Sequence, residues 1–556
     1  MSEKLTEEPS PCQVRRMRIM MKERDVYGMI RREKEIISYP ELGNIYPGDY
    51  YPDIPVGEYI SPDQPIPADR PVFDIRDYGA EPDELLNTEA IRRACEACRD
   101  AGGGTVLVTG GRYRTGTVRL YSHTTLFIAS GSELIASRNA EDLICRVEGT
   151  QDFGEESSGG AFILAVGERN ITITGGGRIS GEGEWFVHEP RQKPALTPFA
   201  VTMLPTRAQA RTPEINTVPG SIRTFYRDRI RYAEDKYGTG LPVLRRPSAM
   251  VWLLRCENII VENIILHDSM CWTLHPEASD HVLIRNTVID DNRHVANTDG
   301  IDISGCCHAE VDHCFISCAD DGLCVKNPVY THRASEDIRI HDCTVCTVMN
   351  AFKIGTGTRH DIRKVRLEDC EFIMPDIYPG SVSGISIESC DGSAVEDVQI
   401  SRIRMRNIQC PLYIVLNRRN QAGEPFSEDP GSPYWGGVIR NISIEHLQAR
   451  EAELPAILTG YADRTPGGKP VRKAIQDIRI SDYQVNYRDN QEILHLPEEY
   501  DEFLTDYPEC NAHGDVDAYG IWIRHADRVL LENIQVQPRS MNTGRTMIRR
   551  YDVREV

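Results

Sequence analysis

The sequence predicts an all-β fold, a single-stranded right-handed parallel β-helix of about ten coils with an N-terminal capping helix. Two observations predict it. A short motif recurs along most of the chain, and its copies lie 23 to 29 residues apart before the loops lengthen. A unit of that length is too short for a strand-helix-strand repeat and contains several segments of period two, so each copy indicates one coil of three short strands. Stacked coils of this kind form a parallel β-helix.

The recurring motif is a polar residue, then apolar, any and apolar residues, two polar positions and usually another apolar one. An earlier copy at Asn170 and the strand-like segment Thr125–Ile128 extend the pattern towards the N-terminus. Leucine-rich repeats are the competing solenoid, but their leucine-spaced units with a closing asparagine are absent from the sequence. The nine copies of the motif begin at Asn258, His281, His308, Asp337, Lys364, Asp397, Asn441, Asp477 and Arg528.

The repeat also sets the predicted domain boundaries. Residues 87–99 have apolar side chains at helical spacing and are followed by Gly102–Gly104, which predicts a helix that caps the open end of the solenoid. Residues 71–545 form the predicted catalytic β-helix, with a long insertion at about 186–248 near the substrate groove. Residues 1–70 are predicted to be an extension that wraps the domain or dimerises, which leaves a homo-oligomer open, and residues 546–556 a C-terminal tail.

Composition and charge argue against several classes of partner and location. The net charge of -21 comes without a basic stripe or tail, which argues against nucleic acid as a partner. No apolar run is long enough to span a membrane, and charges throughout the first thirty residues leave no secretory signal segment, so we expect a cytoplasmic protein. The seventeen cysteines are scattered and odd in number, which favours reduced, buried thiols. They form no pair of CxxC motifs at a structural-zinc separation, and we expect no metal.

Three carboxylates are the predicted catalytic centre. Laying successive coils over one another aligns Asn297–Ile303 with Ala319–Val325. Because stacked strands lie about 4.8 Å apart, Asp299 then meets Asp320 and Asp321 in one patch. Like charges raise one another's pKa, which supplies a protonated acid beside ionised bases, the combination that glycoside hydrolysis requires. An Asp-Gly pair alone is typical of a turn, and three carboxylates also suit calcium, so both alternatives stay open at this point.

The same alignment predicts the substrate-binding surface. Alternation along the strands turns Asp302, Ser386 and several longer side chains outward. Trp272 is placed to stack on a sugar ring and His275 to hydrogen-bond a hydroxyl. The predicted substrate-binding residues are Trp272, His275, Asn350, Lys353, Lys326, Glu388 and Arg418.

Five motifs carry a resemblance to a known family: Phe73–Gly79, Gly102–Thr105, Trp272–Pro276, Asn297–Gly300 and Asp320–Gly322. Over roughly residues 70 to 545 the chain resembles the family 28 glycoside hydrolases, the polygalacturonase-like enzymes that degrade pectin. The resemblance implies an inverting hydrolase that needs no cofactor. It also implies that Asp320 is the general acid and that Asp299 and Asp321 activate water.

The chain departs from that family at two motifs. Asn350-Ala351-Phe352 stands where polygalacturonases have Gly-His-Gly, and Ser386-Ile387-Glu388 where they have the Arg-Ile-Lys that grips a uronate carboxylate. A galacturonate would lose its bidentate clamp and face a negative charge. The cations that could replace the clamp are Lys353, Lys326, Arg418 and Arg419.

We therefore expect an exo-acting hydrolase of pectin-type oligosaccharides whose sugar is less acidic than galacturonate. Two other functions remain open on the sequence alone. One is a β-helix polysaccharide lyase that uses calcium and a basic residue, and the other is a non-catalytic carbohydrate-binding β-helix.

Overall fold

The computed structural model describes residues 37–39, 43–45, 56–62, 64–82, 86–143, 160–183, 247–292, 295, 297–374, 380–419, 436–464, 468–487, 496–505, 507–538 and 544–555. The predicted insertion at 186–248 lies outside the described residues except for its last two. Most of the predicted extension at 1–70 lies outside them as well.

Strands dominate the described chain. Its α-helices are α1 (Val56–Tyr59) and α2 (Thr88–Asp100), and its short 3-10 turns are Ile75–Tyr78, Ala140–Leu143, Val329–Thr331 and Cys510–His513. The strands are β1 (Ile37–Tyr39), β2 (Gly43–Ile45), β3 (Val72–Asp74), β4 (Gly104–Val108), β5 (Arg112–Thr115), β6 (Val118–Arg119), β7 (Thr124–Ile128), β8 (Glu133–Ala136), β9 (Ala161–Val166), β10 (Arg169–Thr174), β11 (Arg178–Ser180), β12 (Ala249–Leu254), β13 (Glu257–His267), β14 (Trp272–Glu277), β15 (Asp280–Asp290), β16 (Ile301–Ser304), β17 (Cys307–Asp312), β18 (Phe315–Cys318), β19 (Leu323–Asn327), β20 (Ser335–His341), β21 (Thr344–Thr347), β22 (Asn350–Thr358), β23 (Ile362–Glu368), β24 (Glu371–Ile373), β25 (Ser381–Ser389), β26 (Ala394–Arg406), β27 (Ile408–Leu416), β28 (Val438–Ala452), β29 (Ala456–Thr459), β30 (Tyr461–Arg464), β31 (Pro470–Lys473), β32 (Ile475–Tyr487), β33 (Ala518–Gln537) and β34 (Thr546–Arg554). No helix of the described residues is long and apolar enough to cross a membrane.

The strands stack into a parallel β-helix, as predicted. Sheet A, which carries the predicted site, consists of β6, β9, β12, β14, β16, β19, β22, β25, β27, β29, β33 and β34, each parallel to the next. The recurring motif forms a second stack, and the long strands such as β13, β26 and β28 continue through a bend into a third. One inward row of sheet A, which holds the core together by apolar burial, consists of Leu274, Ile301, Leu323, Phe352, Ile385 and Leu412.

The backbone conformation explains why a polar residue opens most copies of the motif. All nine of these residues adopt the left-handed conformation, with φ between 53° and 58° in the copies from Asn258 to Arg528. A second left-handed residue follows five positions later in every copy, for example Asn263 after Asn258 and Asp482 after Asp477. Asn and Asp tolerate this conformation better than most side chains. The motif is therefore a strand bounded by two bends, with its apolar positions directed into the core.

The two ends of the solenoid differ from each other. Helix α2 buries Ala90, Ile91, Ala94 and Cys98 and packs against β3, β4 and β6 at the first coils. At the other end, the predicted tail at 546–556 contains β34, which pairs in parallel with β33. The β-helix thus continues past residue 545, because the alternating segment there completes another strand of sheet A.

A segment between β32 and β33 lies across the outer face of sheet A. This segment, which we call the strap (residues 496–505 and 507–514), has no strand of its own. It contributes to a second apolar cluster outside the β-helix, in which Cys510 packs with Val382, Tyr413, Ile457 and Trp522. Sheet A is therefore packed on both faces near its C-terminal coils.

Candidate active site

The three predicted catalytic carboxyls meet in one patch. Asp299 lies just before β16, and Asp320 and Asp321 lie just before the neighbouring strand β19. One oxygen of each lies within 4.8 Å of the others. The residues are 3%, 7% and 5% exposed, so the cluster is buried but not sealed. Stacking of adjacent coils thus produces the clustering that the sequence alignment of coils predicts.

The environment of Asp320 suits a proton donor. Burial, together with the charges of Asp299 and Asp321, raises the pKa of Asp320 well above its usual range. Its Oδ1 accepts a hydrogen bond of 3.0 Å from the backbone N–H of Asp321, and its Oδ2 one of 3.5 Å from Asn297 Nδ2. The pKa of Asp320 is therefore shifted in the direction that favours the protonated form, as a general acid requires.

Asp299 is held by a cation. Burial raises the pKa of Asp299, but Lys326 opposes that rise from 2.9 Å away. The other oxygen of Asp299, Oδ1, is buried and has no hydrogen-bond partner among the described residues. A buried acceptor costs free energy unless it is paired, so Oδ1 is suited to accept a hydrogen bond from a water.

Lys326 links three side chains. Its Nζ lies 2.9 Å from Asp299 Oδ2, 2.8 Å from Asp302 Oδ1 and 3.7 Å from the centroid of the Trp272 ring. Burial disfavours the charge of this lysine, but Asp299 and Asp302 outweigh it and raise the pKa of Lys326. The ammonium over the half-buried indole is a cation-π pair that fixes the ring at the edge of the cluster.

His275 does not reach the groove. It is completely buried, its ring meets that of Trp272 edge-on at 4.8 Å, and its Nε2 lies 3.1 Å from Ser304 Oγ. Burial and Lys326 lower its pKa well below the usual range, so the imidazole is neutral. The predicted contact between His275 and a sugar hydroxyl does not fit this position. His275 instead supports Trp272 from behind.

A second charged cluster adjoins Asp321. Lys353 Nζ lies 3.4 Å from Asp321 Oδ2, 3.7 Å from Glu388 Oε1 and 3.3 Å from Glu509 Oε1. Asn350 Nδ2 donates to Asp321 Oδ1 at 2.8 Å and to Glu509 Oε1 at 3.4 Å. The amide thus stands beside the catalytic carboxyl at the position aligned to the family's histidine.

Glu388 is enclosed by the protein. It has no exposed surface and accepts a hydrogen bond of 2.6 Å from Ser386 Oγ. Burial raises the pKa of Glu388 to about 8, although Lys353 acts against the rise. The sequence interpretation placed Glu388 on the substrate surface. The structure corrects this, because Glu388 and Lys353 both lie beneath the strap.

The two arginines after β27 have different neighbours. Arg418 forms an ion pair with Asp463, and no contact joins it to the carboxyl cluster among those the structure describes. Arg419 bonds Asp391 Oδ2 at 3.0 Å and the carbonyl oxygen of Thr356 at 3.1 Å, and lies 5.5 Å from the Tyr507 ring. Arg419 rather than Arg418 therefore borders the second cluster.

Comparison with known proteins supports the resemblance to the family 28 glycoside hydrolases. The profile described as glycosyl hydrolases family 28 matches residues 238–435, a range that contains all three aspartates. A probable polygalacturonase of Vitis vinifera is 23% identical over 439 residues, covering 71% of this chain and 78% of the relative. An exo-poly-alpha-D-galacturonosidase of Dickeya chrysanthemi is 25% identical over 268 residues, covering 45% and 41% respectively. The resemblance to the family 28 glycoside hydrolases is thus confirmed over the part of the chain that carries the three aspartates. The protein is a glycoside hydrolase.

Solved structures of family 28 enzymes share the fold. A hyperthermoactive exopolygalacturonase from Thermotoga maritima aligns with a TM-score of 0.57 and 18% identity over 87% of this chain and 94% of that one. A family 28 exopolygalacturonase from Yersinia enterocolitica aligns with a TM-score of 0.58 and 16% identity over 87% and 78%. These likenesses establish the parallel β-helix.

Two residues of this glycoside hydrolase that contact the second cluster were not predicted from the sequence, Tyr507 and Glu509. The centroid of the Tyr507 ring lies 5.4 Å from Lys353 Nζ. Glu509 accepts hydrogen bonds from Lys353 and Asn350. They fall outside the coil motif, in a segment without strand period, so no periodic signal marks them. An acidic residue in a long segment between two coils was the only available hint.

Proposed function

We propose that this family 28 glycoside hydrolase is an inverting, exo-acting enzyme that releases a sugar less acidic than galacturonate from pectin-type oligosaccharides. The observation that carries the proposal is that Lys326 and Lys353, the two lysines beside the site, are both ion-paired with acidic side chains of the protein. Each lysine beside the three catalytic carboxyls is already neutralised by carboxylates of the protein.

The proposed chemistry uses the three carboxyls in two roles. Asp320 donates its proton to the glycosidic oxygen as the bond from that oxygen to the anomeric carbon breaks. Asp299 and Asp321 hold a water, whose oxygen attacks the anomeric carbon while its proton passes to the carboxylate. The unpartnered Oδ1 of Asp299 supports this role. Lys326 and Asn350 keep the two bases oriented.

Inversion is supported by the family resemblance rather than by spacing. Carboxyl groups of inverting enzymes are generally about 6.5–9.5 Å apart and those of retaining enzymes about 5–5.5 Å. The nearest oxygens of the three groups here lie within 4.8 Å of one another, close enough for two of the groups to hold one water in the proposed reaction. The anomeric form of the first product is the direct measurement.

The preference for a less acidic sugar follows from charge. Lys326 contacts Asp299 and Asp302, Lys353 contacts three carboxyl groups, and Arg419 contacts Asp391. To pair with one of these described cations, a uronate carboxylate would have to displace a carboxyl group of the protein and leave a buried charge unpaired, which is strongly unfavourable. A neutral sugar needs only hydrogen bonds.

Exo action is supported by the strap. It crosses sheet A directly beyond Asp321, so a long polysaccharide cannot continue along the sheet in that direction. The exo-acting names of the Dickeya, Thermotoga and Yersinia proteins agree with this proposal.

The test is product analysis on a defined panel. The enzyme is incubated with oligogalacturonides and with pectic oligosaccharides that end in a neutral sugar, and the products are separated and examined by proton NMR. We expect one monosaccharide per cleavage, with inverted configuration, from a neutral-ended substrate, and the same activity after exhaustive EDTA treatment. Asp320→Asn should lower kcat by several orders of magnitude, with unchanged circular dichroism.

Three results would overturn parts of the proposal. Efficient release of galacturonate would remove the sugar preference, and internal cleavage would remove exo action. An unsaturated product absorbing in the ultraviolet, with activity that calcium restores, would replace hydrolysis by a lyase reaction.

A further inference from the structure

The strap is fixed to sheet A from both sides. The Arg524 guanidinium donates hydrogen bonds of 2.9 Å to the carbonyl oxygens of Tyr500 and Asp501. The backbone N–H of Arg418 donates one of 2.8 Å to the carbonyl oxygen of Leu504. Further along, His513 Nε2 lies 3.0 Å from the Tyr413 hydroxyl. Groups from two coils, those of β27 and β33, therefore hold the strap against the sheet.

Apolar packing adds to these polar contacts. Cys510 is buried among Val382, Tyr413 and Trp522, and the ring of Phe503 meets His513 at 4.6 Å. Burial of apolar surface stabilises these contacts. The strap is accordingly a built part of the fold, held in place on both sides of Glu509.

The strap covers the surface on which the family resemblance places the substrate clamp. Asn350, Lys353 and Glu388 are each at most 1% exposed, whereas the Glu509 side chain keeps 11% of its surface and Tyr507 is half-buried. A sugar next to Asp321 would consequently touch Glu509 and Tyr507 before it touched any of the sheet residues beneath them.

We propose that Tyr507 and Glu509 form the substrate-facing wall of the groove beside Asp321, and that Glu509 is a specificity-determining residue that rejects a carboxylated sugar. The inference rests on the proposed function and names the residue that enforces its sugar preference. It moves the determinant from Ser386 and Glu388, where the alignment placed it, to the strap.

The chemistry of the wall supports selection. Glu509 Oε1 is committed to Lys353 and Asn350, while Oε2 is buried and has no hydrogen-bond partner among the described residues. Oε2 can therefore accept a hydrogen bond from a sugar hydroxyl. A carboxylate in the same place would face a like charge at low dielectric, which costs far more than in water. Lys353 lies directly behind Glu509, so removing the glutamate charge would expose a positive field.

The test compares two substrates with three variants. Glu509→Gln keeps the shape and removes the charge, Glu509→Asp keeps the charge, and Glu499→Gln makes the same chemical change at an exposed position of the strap. For each, kcat/KM is measured on matched oligosaccharides ending in a neutral sugar and in a uronate. We expect Glu509→Gln to shift the uronate-to-neutral ratio by at least tenfold towards the uronate, Glu509→Asp to keep the wild-type ratio, and Glu499→Gln to change nothing.

The outcomes separate the two proposals. Equal loss on both substrates in Glu509→Gln would show a purely structural role and overturn the inference. If that variant does not fold, a changed ratio in Glu509→Asp would overturn it as well, since the charge is retained. The proposed function fails separately, if the wild type releases no neutral sugar from any substrate.

Discussion

At the residue scale, the active site is organised around two buried lysines that each serve several carboxylates. Lys326 joins Asp299, Asp302 and Trp272, and Lys353 joins Asp321, Glu388 and Glu509. Buried ion pairs gain little net stability, but removing one partner leaves a costly unpaired charge. The lysines thus maintain a site with more acidic than basic groups.

Lys326→Met should change the pH dependence of catalysis. Without the cation 2.9 Å from Asp299, burial and Asp321 act unopposed, and the pKa of Asp299 rises further. The ascending limb of kcat/KM, which reports ionisation of the base, should move to higher pH by about one unit or more. Lys326→Arg should largely restore its position. Exposed Lys364→Met is the control, and an unmoved limb in Lys326→Met would contradict the role of Lys326.

Glu388 links the same cluster to stability. Its folded-state pKa of about 8 lies above the ordinary value of roughly 4.3, so the folded state binds the extra proton between these limits. Stability should therefore fall as pH rises from about 4 to about 8. Glu388→Gln removes this titrating carboxyl group. The urea midpoint of the variant should therefore fall less between pH 5 and pH 9 than the urea midpoint of the wild type. Exposed Glu499→Gln should follow the wild type, and a parallel fall in both variants would show that Glu388 is not buried as described.

At the element scale, the recurring motif is a strand bounded by two left-handed bends, and the strand itself was predictable from the sequence. The polar residue that opens each motif was recognised as a repeat marker, although its backbone conformation was not. The stacking of coils then predicts the proximity of Asp299, Asp320 and Asp321, because a parallel register fixes neighbours about 4.8 Å apart. Local pattern and stacking together were enough for the carboxyl cluster.

The bends give a prediction of their own. Lys364 has φ of 54° and is exposed, and a β-branched residue is strained in that conformation. Lys364→Val should lower the free energy of unfolding by about 1–2 kcal/mol. Arg366→Val, at an exposed position of the same strand β23, introduces the same side chain where β-branched residues are favoured and should cost far less. Equal urea midpoints for the two variants would argue against the bend.

At the scale of the whole molecule, the described residues form a solenoid with two additions that the repeat does not encode, helix α2 and the strap. Helix α2 was predictable from its own apolar spacing. The strap was not, since its partners lie far away in sequence and it has no period. For this reason the sequence placed Glu388 in the groove and missed Glu509. The fifteen described cysteines are free thiols, and all of them but Cys307 are buried.

The strap also sets an order of events in folding. Neighbouring coils pair over short sequence separations, whereas Glu509 bonds Lys353 and Asn350 across 156 and 159 residues. Contacts of long sequence separation pay more loop-closure entropy, and they form once the surfaces that receive them exist. After dilution from urea, the far-UV circular dichroism of the coils should therefore recover before hydrolytic activity does. The delay between the two signals should be shorter after a brief unfolding pulse that leaves the last coils intact. In that experiment the packing of Cys510 on Trp522 is already formed when refolding begins. Simultaneous recovery of both signals would mean that the strap docks together with the coils it covers.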